Sequence, residues 1–428
     1  MGKLFINATK NFGNKIETAI SNSNGRIDGI HYSLADIPKE KTSKLRSEGI
    51  YIFPELPLYY LTTKNDYIEK FLDRSPIDLG DEKSFIPNER NNKLICLENH
   101  IDLSFLRTLP LTTFEYSTKR EEFLSMVNAF YNSYYQDDYL MTPTFMINKV
   151  GSWEEIMLLD VLKNTNEYLV SNPKSNVFLS ILLDPTLLDS SDIAGNILSY
   201  IDMYPLINNF SLTIISDESM YYHTKDDYKN ILTFIKELRA RGIEVYLQYC
   251  GIKDIVFSVL NIKRFSVGWF GSYRNFDTNS KRISEVSSSS FGKRIRKILT
   301  ESFMSEVPLS YLSVLNEREC REYFSIEKNK LETIDYKDLE QRYWCEMLKI
   351  IEEDASSEKL YTGDELINYR CEIIKEKLQK AIINLSFLIR KLKEAGRFTD
   401  ASKLEKNNLK HVELYEEVLN DFQEKLFF

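Results

Sequence analysis

Five carboxylates stand directly behind apolar runs: Glu55 after IYIFP, Glu98 after LICL, Asp184 after LSILL, and Asp217 with Glu218 after LTIIS. Acids at strand ends supply general acids, general bases or oxygen ligands for a divalent cation. Asp184, Asp217 and Glu218 form the nearest set of catalytic candidates, and the same three are the residues an Mg²⁺ or Mn²⁺ would use. Each has a second reading, because Asp and Glu also cap helices, and Asp184-Pro185 has the form of a turn start.

Two glycine turns offer binding rather than reaction. Gly251 follows EVYLQYC, and Gly268-Trp269-Phe270-Gly271-Ser272-Tyr273-Arg274 follows RFSV. Backbone N–H groups in such turns can approach a phosphate closely, which assigns Gly251, Gly268, Gly271, Ser272 and Arg274 to a phosphate site. A tight strand-to-helix turn needs glycine for its own reasons, so this reading also has a structural rival. Downstream, Lys281, Arg282, Lys293, Arg294, Arg296 and Lys297 are concentrated in a chain of net charge −9. If Phe291 to Phe303 is a helix, Arg294 and Lys297 share a face while Ile295, Ile298 and Leu299 pack inward. That face would border the glycine turns and hold phosphates of a nucleotide or nucleic acid. The alternative is a solvated basic surface.

Other chemistries find less support. Only four histidines are present, His31, His100, His223 and His411, without HxH or HExxH spacing, which argues against zinc. His31 follows the apolar run IDGI and His223 follows Asp217 by six residues, and either could serve as a general acid or base, or simply pack. Cys250 ends an apolar run with no basic neighbour to activate it as a nucleophile. The five cysteines are far apart and odd in number, which reads as reduced thiols. Walker, nucleophile-elbow, kinase and GxGxxG patterns are absent, and no cofactor is indicated.

These residues need a scaffold that brings strand ends together. Apolar runs alternate with polar turns and amphipathic stretches, the signature of βα units and a parallel sheet. Ten runs qualify: Lys3 to Thr9, Ile27 to Ser33, Gly49 to Leu56, Lys93 to Asn99, Leu111 to Ser117, Thr144 to Val150, Val177 to Asp184, Ser211 to Asp217, Glu244 to Cys250 and Arg264 to Phe270. The expected fold is an α/β barrel of (β/α)8 type over residues 1–303. Two of the ten runs are then extra, or belong to an insertion between Leu61 and Lys93. Ligands of such barrels sit at the carboxyl ends of the strands.

Past Asp277 the strand alternation stops, and an all-helical region is expected over residues 304–428. Its helices read Asn329 to Asp354, Asp364 to Ala395 and Thr399 to Phe427. Ile367, Cys371, Ile374, Leu378, Ala381, Leu385, Leu388 and Leu392 recur at spacings of four and three, a heptad-type seam. Gly396 ends that helix, and the next returns with Leu404, Val412, Tyr415, Leu419, Phe422 and Leu426 against it.

With 64 acidic and 55 basic residues, no global field draws the chain to nucleic acid or an anionic membrane. The amino terminus lacks a signal-peptide pattern and no run reaches membrane length, so a cytoplasmic protein without a membrane partner is expected. The functional expectation is a barrel that binds a phosphate-bearing small molecule or nucleotide, with the reaction left open. Its rivals are a scaffold that assembles with itself or a protein partner through the carboxyl-terminal helices, and nucleic-acid binding through residues 281–297.

Overall fold

The computed structural model describes residues 3–7, 20, 27–33, 47, 49–55, parts of 120–132, 139–147, 150–188, 191–216, 224–262, 264–268, 295–351 and 360–426. Nine strands form one parallel sheet: β1 (Lys3–Asn7), β2 (Ile27–Ser33), β3 (Tyr51–Glu55), β4 (Leu140–Met141), β5 (Phe145–Met146), β6 (Val177–Leu183), β7 (Asn209–Ile214), β8 (Glu244–Cys250) and β9 (Arg264–Val267). Their order is β3-β2-β1-β9-β8-β7-β6-β4, with β5 also on β6, so β4 and β5 are two pieces of one stave. The break between them falls at Pro143, which has no N–H for a ladder; the Thr142 hydroxyl accepts the Ser180 N–H there at 2.9 Å. Eight staves thus curve into a nearly closed barrel, as the alternation predicts. The candidate strands Lys93 to Asn99 and Leu111 to Ser117 lie outside the described residues.

No backbone ladder joins β3 to β4, and side chains bridge that seam instead. Phe53 of β3 stacks on Tyr139 beside β4 at 4.7 Å, and Tyr51 meets the same ring edge-on at 5.3 Å. Between β2 and β3 the ladder is tight. At Gly29 in β2, an added Cβ would lie 2.1 Å from the Tyr51 carbonyl oxygen of β3, so only glycine allows the strands to approach as they do.

Helices wrap the outside where the sequence sets caps and an apolar stripe. Helix α1 (Trp153–Ser171) begins at Ser152, whose hydroxyl accepts the Glu155 N–H at 3.3 Å. Helix α2 (Ser191–Met203) follows β6, and α3 (Lys225–Ala240) opens with a reciprocal Thr224–Asp227 capping box. Their buried faces join Leu4, Ile6, Leu179, Leu212 and Leu247 in one apolar layer between sheet and helices.

The basic segment departs from expectation. Instead of a helix over Phe291 to Phe303, residues 297–308 form an antiparallel hairpin, β10 (Lys297–Thr300) and β11 (Ser305–Pro308). Ile298, Leu299 and Val307 are buried, whereas Ile295, needed on the inner face of the supposed helix, is 69% exposed. The three-and-four spacing of Ile295, Ile298 and Leu299 imitated a helical period in a segment too short to distinguish it from a strand. Thr300 then caps a single 3-10 turn, and Met304 takes a positive φ of 44° to reverse the chain.

The remaining chain is helical: α4 (Glu317–Phe324), α5 (Tyr336–Ile351), α6 (Gly363–Glu394), α7 (Phe398–Leu404) and α8 (Lys410–Glu424). Ile374, Leu378, Ala381, Leu385, Leu388 and Leu392 of α6 are buried, as are the facing Leu404, Val412, Tyr415, Leu419 and Phe422. The seam is filled by α7 and α8 of the same chain. Gly396, at φ 76°, ends α6 in a Schellman motif, with Arg397 N–H on Leu392 O at 2.8 Å and Gly396 N–H on Lys393 O at 3.0 Å. The predicted last helix is interrupted by a π turn, Glu405–Leu409, which turns Asn408 inward to donate to Ser305 Oγ and, at 3.0 Å, to Glu306 O. The helical region packs on the barrel: Tyr415 meets Tyr228 of α3 at 5.7 Å, and Asp421 accepts from Lys225 at 3.0 Å and Lys229 at 2.5 Å. Among the described residues, no helix is long and apolar enough to cross a membrane.

Two substitutions test this packing by urea unfolding. Leu385→Ala is expected to lower stability by about 2–5 kcal/mol through a buried cavity. Gly29→Ala is expected to cost about 2 kcal/mol or more, because its Cβ meets backbone rather than a side chain that can yield.

Candidate active site

The pleat decides which side chains enter the barrel. On β1 Leu4 and Ile6 face the helices, while Phe5 and Asn7 point inward. The same parity sends Phe53 and Glu55 of β3 and Phe178 and Ser180 of β6 inward. One inner layer is apolar: Phe5, Phe53, Tyr139, Met141, Phe178 and Tyr246. The next, nearer the carboxyl ends, is polar: Asn7, His31, Glu55, Thr144, Ser180, Ser211, Thr213, Gln248 and Ser266, all buried.

Glu55 is the centre of that second layer, and none of its surface is exposed. Its Oε2 accepts from the Tyr249 hydroxyl at 2.9 Å, and Oε1 accepts from the Thr144 hydroxyl at 3.2 Å. His31 Nε2 lies 3.7 Å from Oε2, and His31 is 1% exposed. The other ring nitrogen, Nδ1, is 2.9 Å from Asn7 Oδ1. An amide oxygen only accepts, so Nδ1 carries a proton and Nε2 is the nitrogen that exchanges one on the Glu55 side. Tyr249 and Tyr246 pack edge-on to the imidazole at 5.4 and 6.1 Å. Thr144 also meets Ser180 at 2.8 Å, so six staves contribute to one connected group. A carboxyl in so dry a place requires donors or a cation, and hydroxyls together with an imidazole supply both. The arrangement can take up and return a proton.

A second polar group follows β7 and β8. Lys253, buried on the 3-10 turn Ile252–Leu260, donates from Nζ to Ser216 Oγ at 2.9 Å. Burial pulls its ammonium below the usual lysine range, and the nearby Asp254 carboxylate partly opposes that. The Asp254 carboxylate accepts the Gly251 N–H at 2.7 Å. Burial, with Asp254 adding to it, pushes the Cys250 thiol well above its usual range, so this cysteine packs as an apolar residue.

The sequence candidates are therefore placed as follows. Gly251 and Gly268 follow neighbouring strands, since Cys250 pairs with Val267, but the Gly251 N–H is already engaged by Asp254. Asp184 is half-buried and accepts from Thr186 N at 3.0 Å and Thr186 Oγ1 at 2.8 Å, a local turn contact. Lys297 lies half-buried on β10, and Arg296 donates to the carbonyls of Glu332 and Ile334 at 3.0 and 2.8 Å. Asp217, Glu218, Gly271, Ser272, Arg274, Arg294, His223, Glu98, Lys281, Arg282 and Lys293 lie outside the described residues. Among the described residues, no three His, Cys, Asp or Glu side chains converge as a metal site. His31 and Glu55 were separate candidates that the fold brings together. Asn7, Thr144, Ser180, Tyr249 and Lys253 were missed, although the inward parity of Asn7 and Ser180 could be counted from the strand pattern. A cleft of about 730 Å³ between α5 and residues 325–334 reaches Ile27 at the amino end of β2, away from this cluster.

A double-mutant cycle measures how strongly the group is coupled. Thr144→Val alone should lose about 1–3 kcal/mol, because Glu55 keeps its burial and loses a donor. In a Glu55→Gln background the loss should shrink, leaving a coupling of at least about 0.5 kcal/mol by urea unfolding. Compared with models of known protein families and with curated proteins, the sequence matches none, so the chemistry of this barrel is read from its geometry.

Proposed function

We propose that the barrel binds a phosphate-bearing small molecule or nucleotide at the carboxyl ends of its strands and performs acid–base chemistry on it through His31 and Glu55. The observation that carries the reading is the 3.7 Å approach of His31 Nε2 to a fully buried Glu55 carboxyl, with Asn7 fixing the imidazole from behind. Structural ion pairs do occur in cores, yet this one stands where parallel barrels carry their reactive groups. His31 moves the proton and Glu55 balances the charge.

The anionic part of the ligand falls to the other side of the mouth. Lys253 after β8 supplies a cation, and Gly268, directly after β9, leads in the sequence to Gly271, Ser272 and Arg274, the phosphate-binding residues of this reading. Asp217 and Glu218 follow Ser216, the partner of Lys253, and are the further carboxylates of this reading. The scaffold alternative was motivated by an apolar seam needing a cover, and α7 and α8 provide that cover. Of the cluster behind the nucleic-acid alternative, Lys281, Arg282, Lys293 and Arg294 lie outside the described residues, and Arg296 is engaged with two backbone carbonyls.

Thermal unfolding with inorganic phosphate, pyrophosphate and nucleoside phosphates tests the proposal. A ligand at a hundred times its Kd adds about 2.7 kcal/mol, enough to raise the Tm by several degrees. The wild-type chain should show that rise with at least one of these compounds, and folded Lys253→Met should not. No rise with any of them at millimolar concentration removes the phosphate reading.

A further inference from the structure

We propose that Tyr249 is a positioning residue, turned into the barrel by a β-bulge so that its phenol holds the Glu55 carboxylate ionised beside His31. The inference rests on the acid–base reading of that pair and adds the device that sets its charge.

The bulge is visible in the strand register. Leu247 of β8 pairs with Phe265 of β9, but the next pair is Cys250 with Val267. Gln248 and Tyr249 therefore face Ser266 alone, one residue more than the pleat allows. In a regular strand Gln248 would point inward, Tyr249 toward the helices and Cys250 inward again. Here Gln248 bonds Ser211 and Thr213 inside the barrel, Tyr249 packs inward on Leu182, and Cys250 belongs to the outer apolar layer. Two consecutive side chains thus enter the interior.

The backbone carries the strain of this arrangement. Tyr249 has a φ of 54°, a left-handed conformation that a bulky side chain rarely adopts. Its N–H, displaced from the ladder, donates to Ser266 Oγ at 3.0 Å. Glycine or asparagine would fit that backbone better, so a tyrosine kept there points to its side chain. What the side chain does is donate to Glu55 Oε2 at 2.9 Å, the same oxygen that faces His31 Nε2. The groups around this carboxyl are His31 and Tyr249 at Oε2, Thr144 at Oε1, and Tyr246 of β8 beside the His31 ring. A phenol donor stabilises the ionised form of the carboxyl, so the Nε2 proton stays on histidine until a substrate changes the balance.

The test follows the Glu55 side chain by ¹³C NMR in the full-length protein labelled at glutamate carboxyl carbons, with Glu55→Gln to assign the signal. Tyr249→Phe should raise the Glu55 midpoint by about one pH unit, a tenfold weaker acid. Tyr249→Gly, which suits the backbone but lacks the phenol, should give the same rise. Thr144→Ser, which keeps its hydroxyl, should leave the midpoint within a few tenths of wild type. An unchanged midpoint in Tyr249→Phe overturns the proposal even if the Tm falls, since packing alone would then explain the residue. A Glu55 carboxyl already protonated at neutral pH in the wild type overturns it too, as does no protonation in Tyr249→Phe above the acid-unfolding limit. Loss of phosphate binding in the thermal assay bears on the ligand and leaves this titration intact, so the two can fail separately.

Discussion

Burial of one carboxyl group organises the middle of this molecule. Glu55 sits on an inward position of β3, and no water-facing route relieves it, so the surrounding staves must provide hydrogen-bond donors and a basic group. Tyr249, Thr144 and His31 do so, and each drags a constraint behind it. Tyr249 requires the bulge in β8, and Thr144 requires the broken stave at Pro143. His31 requires Asn7 at the end of β1, which holds the Asn7 side chain away from the surface. The bulge in β8 and the break at Pro143 thus both adjoin a carboxyl that a regular barrel would leave without donors.

The apolar layer beneath does different work. Phe5, Phe53, Phe178 and Tyr246 fill the cylinder with edge and stacked contacts, so the interior is solid at that level. Chemistry is thereby confined to the carboxyl end. The same rings close the seam between β3 and β4, where no ladder runs. One set of aromatic side chains therefore serves as the floor of the site and as the fastening of the barrel.

The fold was readable because its signals are periodic. Runs such as VFLSILL and EVYLQYC are buried along nearly their whole length, and the three-and-four seam of α6 matches its buried face. Local irregularities were not readable. A bulge adds one residue without changing composition, so a period-two count along β8 puts Tyr249 outward and Cys250 inward, the reverse of what the fold shows. The hairpin at Lys297–Thr300 imitated a helix through three aliphatic residues, and Gly251 resembled a phosphate turn whose N–H an acid three positions later already occupies. The site shared this limit: its members come from strands far apart in the chain, and only closure of the sheet shows that Asn7, His31, Glu55 and Tyr249 are neighbours.

The π turn at Glu405–Leu409 has an effect that reaches beyond Asn408. Each residue of an α-helix advances the side-chain direction by about 100°, so one extra residue in a turn rotates everything after it by that angle. The register of Val412, Tyr415, Leu419 and Phe422 against α6 is set with that rotation included. A chain shortened by one residue in this turn would form a smoother helix and present the wrong face to its partner. The length of this segment therefore sets the packing of α8 as much as its composition does.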